Sequence, residues 1–368
     1  NKKAIEDAIL LATALNSTVS QKSYFFRKNY YYPDMAKNFQ ISQYDKAGGV
    51  PIAVGGCIAI HIDHKDREIR ITRLQLEEDP AKLVHLGSID LSPYTLIDYN
   101  RAGVALLEVV TEPDLRSPRE ARLFLQKLRS ILEHLGISDG QYEGSMRCDA
   151  NISLAGGKRV EIKNISSFKE VERALGFEIT RQQSLVLRGQ RVSMETRHWD
   201  ETRRATISLR SKEAEHDYRY FPEPDLVPIV ISNSWIKNLA ARIPELPDSR
   251  RNRFIKEYAL PSYDATVLTR EKSLADFFEE CVQLYPNPKI VSNWVMGDIQ
   301  RWLHQFNFTL PESKITPQNL KELLQLIDEG VISGKIAKQL IPKILQTDLS
   351  PRTIVEKEEL TRIASSQT

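Results

Sequence analysis

Cysteine is scarce in this chain, with Cys57, Cys148 and Cys281 the only three in 368 residues. They are far apart and form no C-x-x-C, which excludes a disulfide framework or a zinc knuckle and fits a reducing, cytoplasmic compartment. No apolar run is long enough to span a bilayer, and no secretory signal stands at the start, so no membrane attachment is expected. Glycine-rich phosphate loops are missing too. There is no G-x-x-x-x-G-K-[ST] and no G-x-G-x-x-G, so any nucleotide must be held in another way. An excess of one charge is also lacking: 51 Lys+Arg against 49 Asp+Glu leave a formal charge of +2. That balance argues against binding nucleic acid by bulk charge. Nothing in the local sequence resembles a Ser–His–Asp or Cys–His nucleophile.

What is present is a globular chain with 41% hydrophobic and 27% charged residues, long enough for two or three domains. It opens with N-K-K-A-I-E-D-A-I-L-L-A-T-A-L-N, an amphipathic helix already under way, which predicts a further segment ahead of it. Val50–Ile62 and Glu68–Leu76 are strand-like around a charged turn, His61–Arg67. Thr95–Asp98 and Val104–Val110 follow, separated by N-R-A-G. Ser117-Pro118-Arg119-Glu120 combines a capping box with proline at the first helical position, and Gly136 ends the helix. Ser167-Phe168-Lys169-Glu170 opens a second helix, running through Glu178. Consecutive strands with helices interspersed singly predict an α+β fold with a mainly antiparallel sheet. From Arg250 onward the pattern is helical, so a boundary is placed near Ile243. Three domains are expected, at 1–242, 243–310 and 311–368. Thr316-Pro317 and Ser333-Gly334 start the helices of the last.

Chemistry concentrates in E-G-S-M-R-C-D-A-N-I-S, residues 143–153. Its odd positions Glu143, Ser145, Arg147, Asp149, Asn151 and Ser153 are polar, and the even ones are small or apolar. Strand side chains alternate between faces, so one strand with a functionalised face is expected. It is either a wet antiparallel surface or one wall of a site. The return strand Arg159–Asn164 follows Leu154–Lys158. A three-residue loop, Ala155–Gly157, sets Glu161 opposite Asn151 and Lys163 opposite Asp149. A two-residue loop would bury both charges against Ile152 and Ala150 at several kcal/mol, so the longer loop is favoured.

Two further carboxylates interrupt apolar strands. Glu78 continues the face of Leu74 and Leu76, and Glu108 shares a face with Val104, Leu106 and Val110. Such a carboxylate is costly unless paired or on a cation. Glu108 either forms a salt bridge to an arginine such as Arg101 or marks a cation or substrate site. Hard oxygen donors without clustered His or Cys point to Mg²⁺. Several carboxylates on adjacent strands of one concave sheet can build an ATP–Mg²⁺ site without a P-loop. Arg27–Asp34 interleaves cations with tyrosines, suited either to stacking on bases or to a buried tyrosine corner. Leu209-Arg210-Ser211 offers phosphate contacts, and Asp217–Asp225 is a dense aromatic-acidic stretch. His198 and His216 read as hydrogen-bonding histidines.

Taken together, R-K-N-Y-Y-Y-P-D-M-x-K-N-F-Q-I-S-Q-Y-D (27–45), L-I-D-Y-N-R-A-G-V-A-L-L-E-V-V-T-E-P-D-L-R-S-P (96–118), residues 143–153 and D-Y-R-Y-F-P-E-P-D-L (217–226) resemble the GatB/GatE family. These are the B and E subunits of tRNA-dependent amidotransferases. I-S-G-K-I-A-K (332–338) resembles the tail domain shared with YqeY proteins. The likeness covers essentially the whole chain. It implies a glutamine-synthetase-like cradle domain, then all-α helical and tail domains that hold tRNA. It also implies partner subunits GatA and GatC, with GatA releasing ammonia from glutamine. The reaction implied is ATP- and Mg²⁺-dependent phosphorylation of the side-chain carboxylate of Glu-tRNA(Gln) or Asp-tRNA(Asn), followed by amidation, in the cytoplasm or an organelle.

Carried over by motif, Glu78, Glu108, Glu143 and Asp149 are the implied metal ligands. Glu108, Asp149 and Lys163 take catalytic roles, and Arg147, Asn151, Glu161 and Arg210 hold the nucleotide. The family's opening strand, G-L-E-x-H, contributes a Glu and a His to the metal site and is lacking here, and the tail domain is short. Two readings from other classes stand beside this one: a non-catalytic tRNA-binding subunit, and a Mg²⁺-dependent nuclease using the same carboxylates.

Overall fold

The strand Lys65–Glu78 organises the first half of the molecule in a computed structural model that describes residues 1–44, 48–62, 65–85, 92–138, 146–155, 157–211 and 218–360. Four strands pair with it antiparallel: Phe39–Ser42, Ala53–Val54, Cys57–Ile62 and Ala105–Thr111. Its buried apolar residues change parity along the chain, Ile69 and Ile71 being odd and Leu74 and Leu76 even. A bulge explains this, because the register against Ala105–Thr111 skips between Val110↔Arg73 and Thr111↔Ile71. One apolar face therefore continues from Ile69 to Leu76 across the bulge. The helices Lys2–Ala14 and Pro118–His134 pack on this sheet, and the first buries Ala8 through Ala12. Phe26–Asn29 extends the sheet beside Phe39–Ser42, and Phe221–Pro222 closes that edge. Sequence-distant motifs thus meet, and Arg27 donates to both oxygens of buried Glu223 at 2.7 and 2.9 Å.

A second sheet orders Ala150–Ile152, Val160–Lys163, Glu195–Asp200 and Ala205–Ser211. Its middle pair is parallel, and the helix Phe168–Leu187 supplies the crossover such a pair requires. Ser117 and Ser167 cap their helices by accepting from the backbone N–H of Glu120 and Glu170. The α+β expectation holds, with antiparallel pairing dominant among the described residues. The alternating strand is shorter than expected. Residues 139–145, including Glu143 and Ser145, lie outside the described residues, and the ladder covers only Ala150–Ile152. Exposure still alternates from Arg147 to Ser153, so the period of two persists where no partner strand is bonded. The turn at His61–Arg67 is narrower than expected, since His61 and Ile62 already pair with Asp66 and Lys65.

The chain divides into two units, Asn1–Pro244 and Glu245–Thr368. The second is helical. The helices expected to fall into separate domains at 243–310 and 311–368 share one buried cluster, from Phe254 and Phe278 through Leu323 and Leu340 to Val355. Ile315, near the expected start of the last domain at 311, is part of it. Among the described residues no helix is long and apolar enough to cross a membrane.

Candidate functional site

Opposite the apolar face, Lys65–Glu78 presents Arg73, Gln75 and Glu77 at a period of two. Glu108 lies directly across from Gln75 and Leu106 across from Glu77. Gln75 is buried and its amide is oriented by Arg73, whose Nε donates to Oε1 at 2.9 Å. The Gln75 NH₂ is thereby turned towards two carboxylates, donating to Glu77 Oε1 at 2.8 Å and to Glu108 Oε2. Glu77 also accepts from Ser42 Oγ at 2.6 Å and from Gln40 Nε2 at 3.2 Å. Glu108 is exposed as a residue, yet its carboxylate is flanked by Gln75, Glu77, Arg73 and Lys28. Burial, then the charge of Glu77, hold its carboxyl above the ordinary glutamate value against Arg73, Lys28 and Gln75.

Tyrosines wall this cleft. Tyr44 stacks on Tyr220 with centroids 5.2 Å apart, and Tyr218 meets Tyr220 edge-on at 5.9 Å and Tyr30 at 6.2 Å. The Lys28 ammonium lies 4.9 Å from the Tyr218 centroid. Burial, followed by neighbouring tyrosine and carboxylate charges, pushes the Tyr220 phenol up. Burial, with Asp34 and Glu77, does the same to Tyr30. The tyrosine-rich stretch at 27–34 and the one ending at Asp225 therefore line one polar cleft.

The long strand then enters a second cluster. Asp79 is 4% exposed and accepts from Arg101 at 2.9 Å and from Arg147. Arg101 thus pairs with Asp79, and not with Glu108 as one of the two readings of that carboxylate had it. Two residues beyond Arg147, Asp149 accepts from Lys163 Nζ at 2.9 Å. The register is Asn151↔Glu161, as the three-residue loop requires, and Glu161 lies 3.5 Å from Lys163 and accepts from Thr196 at 3.1 Å. Burial pulls the Lys163 pKa down, but Asp149 and Glu161 outweigh it and hold the ammonium above its ordinary value. Cys148 faces the other way, and burial pushes its thiol up to about 12. Asn151 is exposed beside this cluster, and Arg210 stands at the register position opposite Thr196.

Of the expected metal ligands, the three that lie within the described residues, Glu78, Glu108 and Asp149, do not gather at one point. Glu78 pairs with Ala105 and Glu108 with Gln75, an odd offset, so they point to opposite faces of the sheet. Glu78 instead accepts from Lys37 Nζ at 2.7 Å, and Asp149 is taken up by Lys163. Glu143 lies outside the described residues. Among the described residues no three His, Cys, Asp or Glu side chains gather to hold a metal. The carboxylate that does join Glu108 is Glu77. Sequence reasoning missed it, although Arg73-Leu74-Gln75-Leu76-Glu77 alternates polar and apolar residues and marks Glu77 on the polar face. Two convergent carboxylates fit Mg²⁺, which is usually held by one or two carboxylates together with water and substrate phosphates.

The sequence profile of the GatB/GatE catalytic domain matches residues 1–237, and that of the GatB domain matches 276–368. The B subunit of the aspartyl/glutamyl-tRNA(Asn/Gln) amidotransferase of Sulfolobus acidocaldarius is 51% identical over 364 residues, covering 99% of this chain and 76% of the relative. The proteins of that name from Carboxydothermus hydrogenoformans and Thermotoga maritima are 48% and 49% identical, over the same shares of both chains. Both halves of the chain, including every cluster described above, fall within these alignments, and the chain belongs to the GatB/GatE family.

Proposed function

We propose that this chain is the carboxylate-activating subunit of a glutamine-dependent tRNA amidotransferase, working beside an amidase subunit, GatA, and a small GatC. ATP supplies a phosphoryl group to the side-chain carboxylate of Glu on tRNA(Gln), or Asp on tRNA(Asn). Ammonia from the amidase then takes the place of phosphate at the activated carbon, leaving the amide. The observation that carries this reading is the pair Glu77 and Glu108, bridged by Gln75 in a tyrosine-walled cleft. Two carboxylates on one polar face, one with a raised pKa, call for a cation.

Glu77 and Glu108 would hold Mg²⁺, which supplies charge neutralisation at the transferred phosphoryl oxygens. The substrate carboxylate is itself the nucleophile, so no protein nucleophile is needed. The cleft's task is to orient that carboxylate, exclude water and hold charge in place. Lys163, kept charged by Asp149 and Glu161, would stabilise negative charge in the transfer. Arg147 and Asn151, exposed on the segment that carries Asp149, and Arg210, at the register position opposite Thr196, would contact the nucleotide.

The test is amide formation by the assembled complex with ATP, glutamine and mischarged tRNA, tried on both Glu-tRNA and Asp-tRNA. Glu108→Gln and Glu77→Gln should each lower the rate at least about a hundred-fold while tRNA binding is kept. Wild-type rates in both variants, or amide made equally well without ATP, would sink the reading in favour of a non-catalytic tRNA-binding subunit.

A further inference from the structure

Gln75 stands between the two carboxylates of the cleft as a neutral group with both ends of its amide engaged. The carbonyl oxygen accepts from Arg73 Nε at 2.9 Å. The nitrogen donates to Glu77 Oε1 at 2.8 Å and to Glu108 Oε2. Arg73 can only donate, so it fixes which end of the amide faces the carboxylates. Turned the other way, the carbonyl would meet two anions and the NH₂ would meet a guanidinium. At 2% exposure the amide is closed off from solvent, so these partners are the ones that orient it.

Glu77 has other supports. Ser42, its register partner on Phe39–Ser42, donates to Oε1 at 2.6 Å, and Gln40 donates to Oε2 at 3.2 Å. Glu108 takes its side-chain hydrogen bond from Gln75 alone among the described residues, across the register Glu108↔Gln75. Gln75 is therefore the group that ties the position of Glu108 to that of Glu77. Like charges this near repel, and the shared NH₂ offsets that repulsion. The tie itself carries no charge. A lysine or arginine at position 75 would align the carboxylates by neutralising one of them. An amide aligns them and leaves their charge for a cation.

We propose that Gln75 is a positioning residue: aligned by Arg73, it sets the spacing and orientation of Glu77 and Glu108 for a divalent cation. It touches neither the cation nor the substrate, because its carbonyl is held by Arg73 and its N–H groups by the carboxylates. The inference rests on the functional reading above, which assigns Mg²⁺ to those two carboxylates.

Mn²⁺ binding to the assembled complex without nucleotide, read by electron paramagnetic resonance, tests it together with the Mg²⁺ dependence of amide formation. Gln75→Met keeps the length of the side chain and removes both N–H donors. It should weaken Mn²⁺ binding about ten- to a hundred-fold, as loss of a group that orients metal ligands does. The apparent KM for Mg²⁺ should rise by a similar factor, with kcat at saturating Mg²⁺ and the aminoacyl-tRNA KM kept. Gln75→His retains a neutral N–H donor and should recover part of the affinity. Arg73→Met tests the sign. On charge alone, removing a cation from beside the pair would tighten Mn²⁺ binding, whereas losing the anchor of the amide weakens it. Wild-type affinity in Gln75→Met overturns the proposal, whatever happens to the melting temperature in EDTA. So does tighter or unchanged binding in Arg73→Met, which decides the matter alone if Gln75→Met fails to fold. Mn²⁺ affinity that is unaffected by both Glu77→Gln and Glu108→Gln defeats the functional reading itself, which is a separate result.

Discussion

At the scale of single residues, Glu77 and Glu108 govern how the cleft responds to pH. Burial and the Glu77 charge raise the folded-state pKa of Glu108 above its unfolded value. The native state therefore binds the proton more tightly than the unfolded chain does. Stability contributed this way is full below the unfolded pKa and is lost as pH rises through the folded one. Without divalent cations, Glu108→Gln should raise the melting temperature slightly at neutral pH and leave it unchanged near pH 3. Melting curves across pH check this, and equal shifts at both ends contradict it. Mg²⁺ affinity should fall as pH drops through the raised Glu108 value, since the cation competes with that proton. Titrating Mg²⁺ binding at several pH values reads the effect, and pH-independent affinity would place the cation elsewhere.

Glu178 shows the opposite sign. Burial alone raises its pKa, but hydrogen bonds from Arg181, Gln182 and Thr206 outweigh burial and lower it. Its contribution is present above the unfolded pKa and lost as pH falls through the folded one. Glu178→Ala leaves Arg181 and Arg197 without their shared buried carboxylate and should cost about 3–5 kcal/mol in denaturant unfolding.

At the scale of elements, the hairpin shows how far local rules reach. The cost of burying Glu161 and Lys163 selects the loop length, the loop selects the register, and the register brings Lys163 to Asp149. All of these links lie within twenty residues of sequence, so they are legible there. Helix starts are legible for the same reason, since Ser117 and Ser167 satisfy N–H groups three residues away. Ser117→Ala should cost about 1 kcal/mol by thermal or denaturant unfolding. Ile162 faces away from the polar side and is fully buried. Ile162→Ala should cost about 2–5 kcal/mol while leaving the Asp149–Lys163 pair in place. A loss below 1 kcal/mol would contradict the assignment of faces.

At the scale of the molecule, the two units each own a core. The buried cluster of the second runs from Phe254 to Val355 and lies entirely within Glu245–Thr368. Phe278→Ala, at a fully buried position, should lower the stability of that unit by about 3–5 kcal/mol. Scanning calorimetry should then resolve its transition from that of Asn1–Pro244, whose midpoint stays put. A common shift of both transitions would show the units to be energetically coupled.

The sequence by itself determined the α+β class, the helix starts, the hairpin register and the family, because each depends on neighbours in the chain or on long motifs. It also marked Glu108 as a carboxylate in need of a partner. Which partner was a matter of tertiary structure. Ala105–Thr111 and Lys65–Glu78 are joined by no short turn, so no local rule set their register. A shift of one residue would have put Glu78 rather than Glu77 on the side of Glu108. Likewise Arg101 and Arg147 stand 46 positions apart in the sequence, and only folding sets both on Asp79. Side-chain alternation is a local property of a strand, whereas the meeting of two faces depends on where distant strands pair.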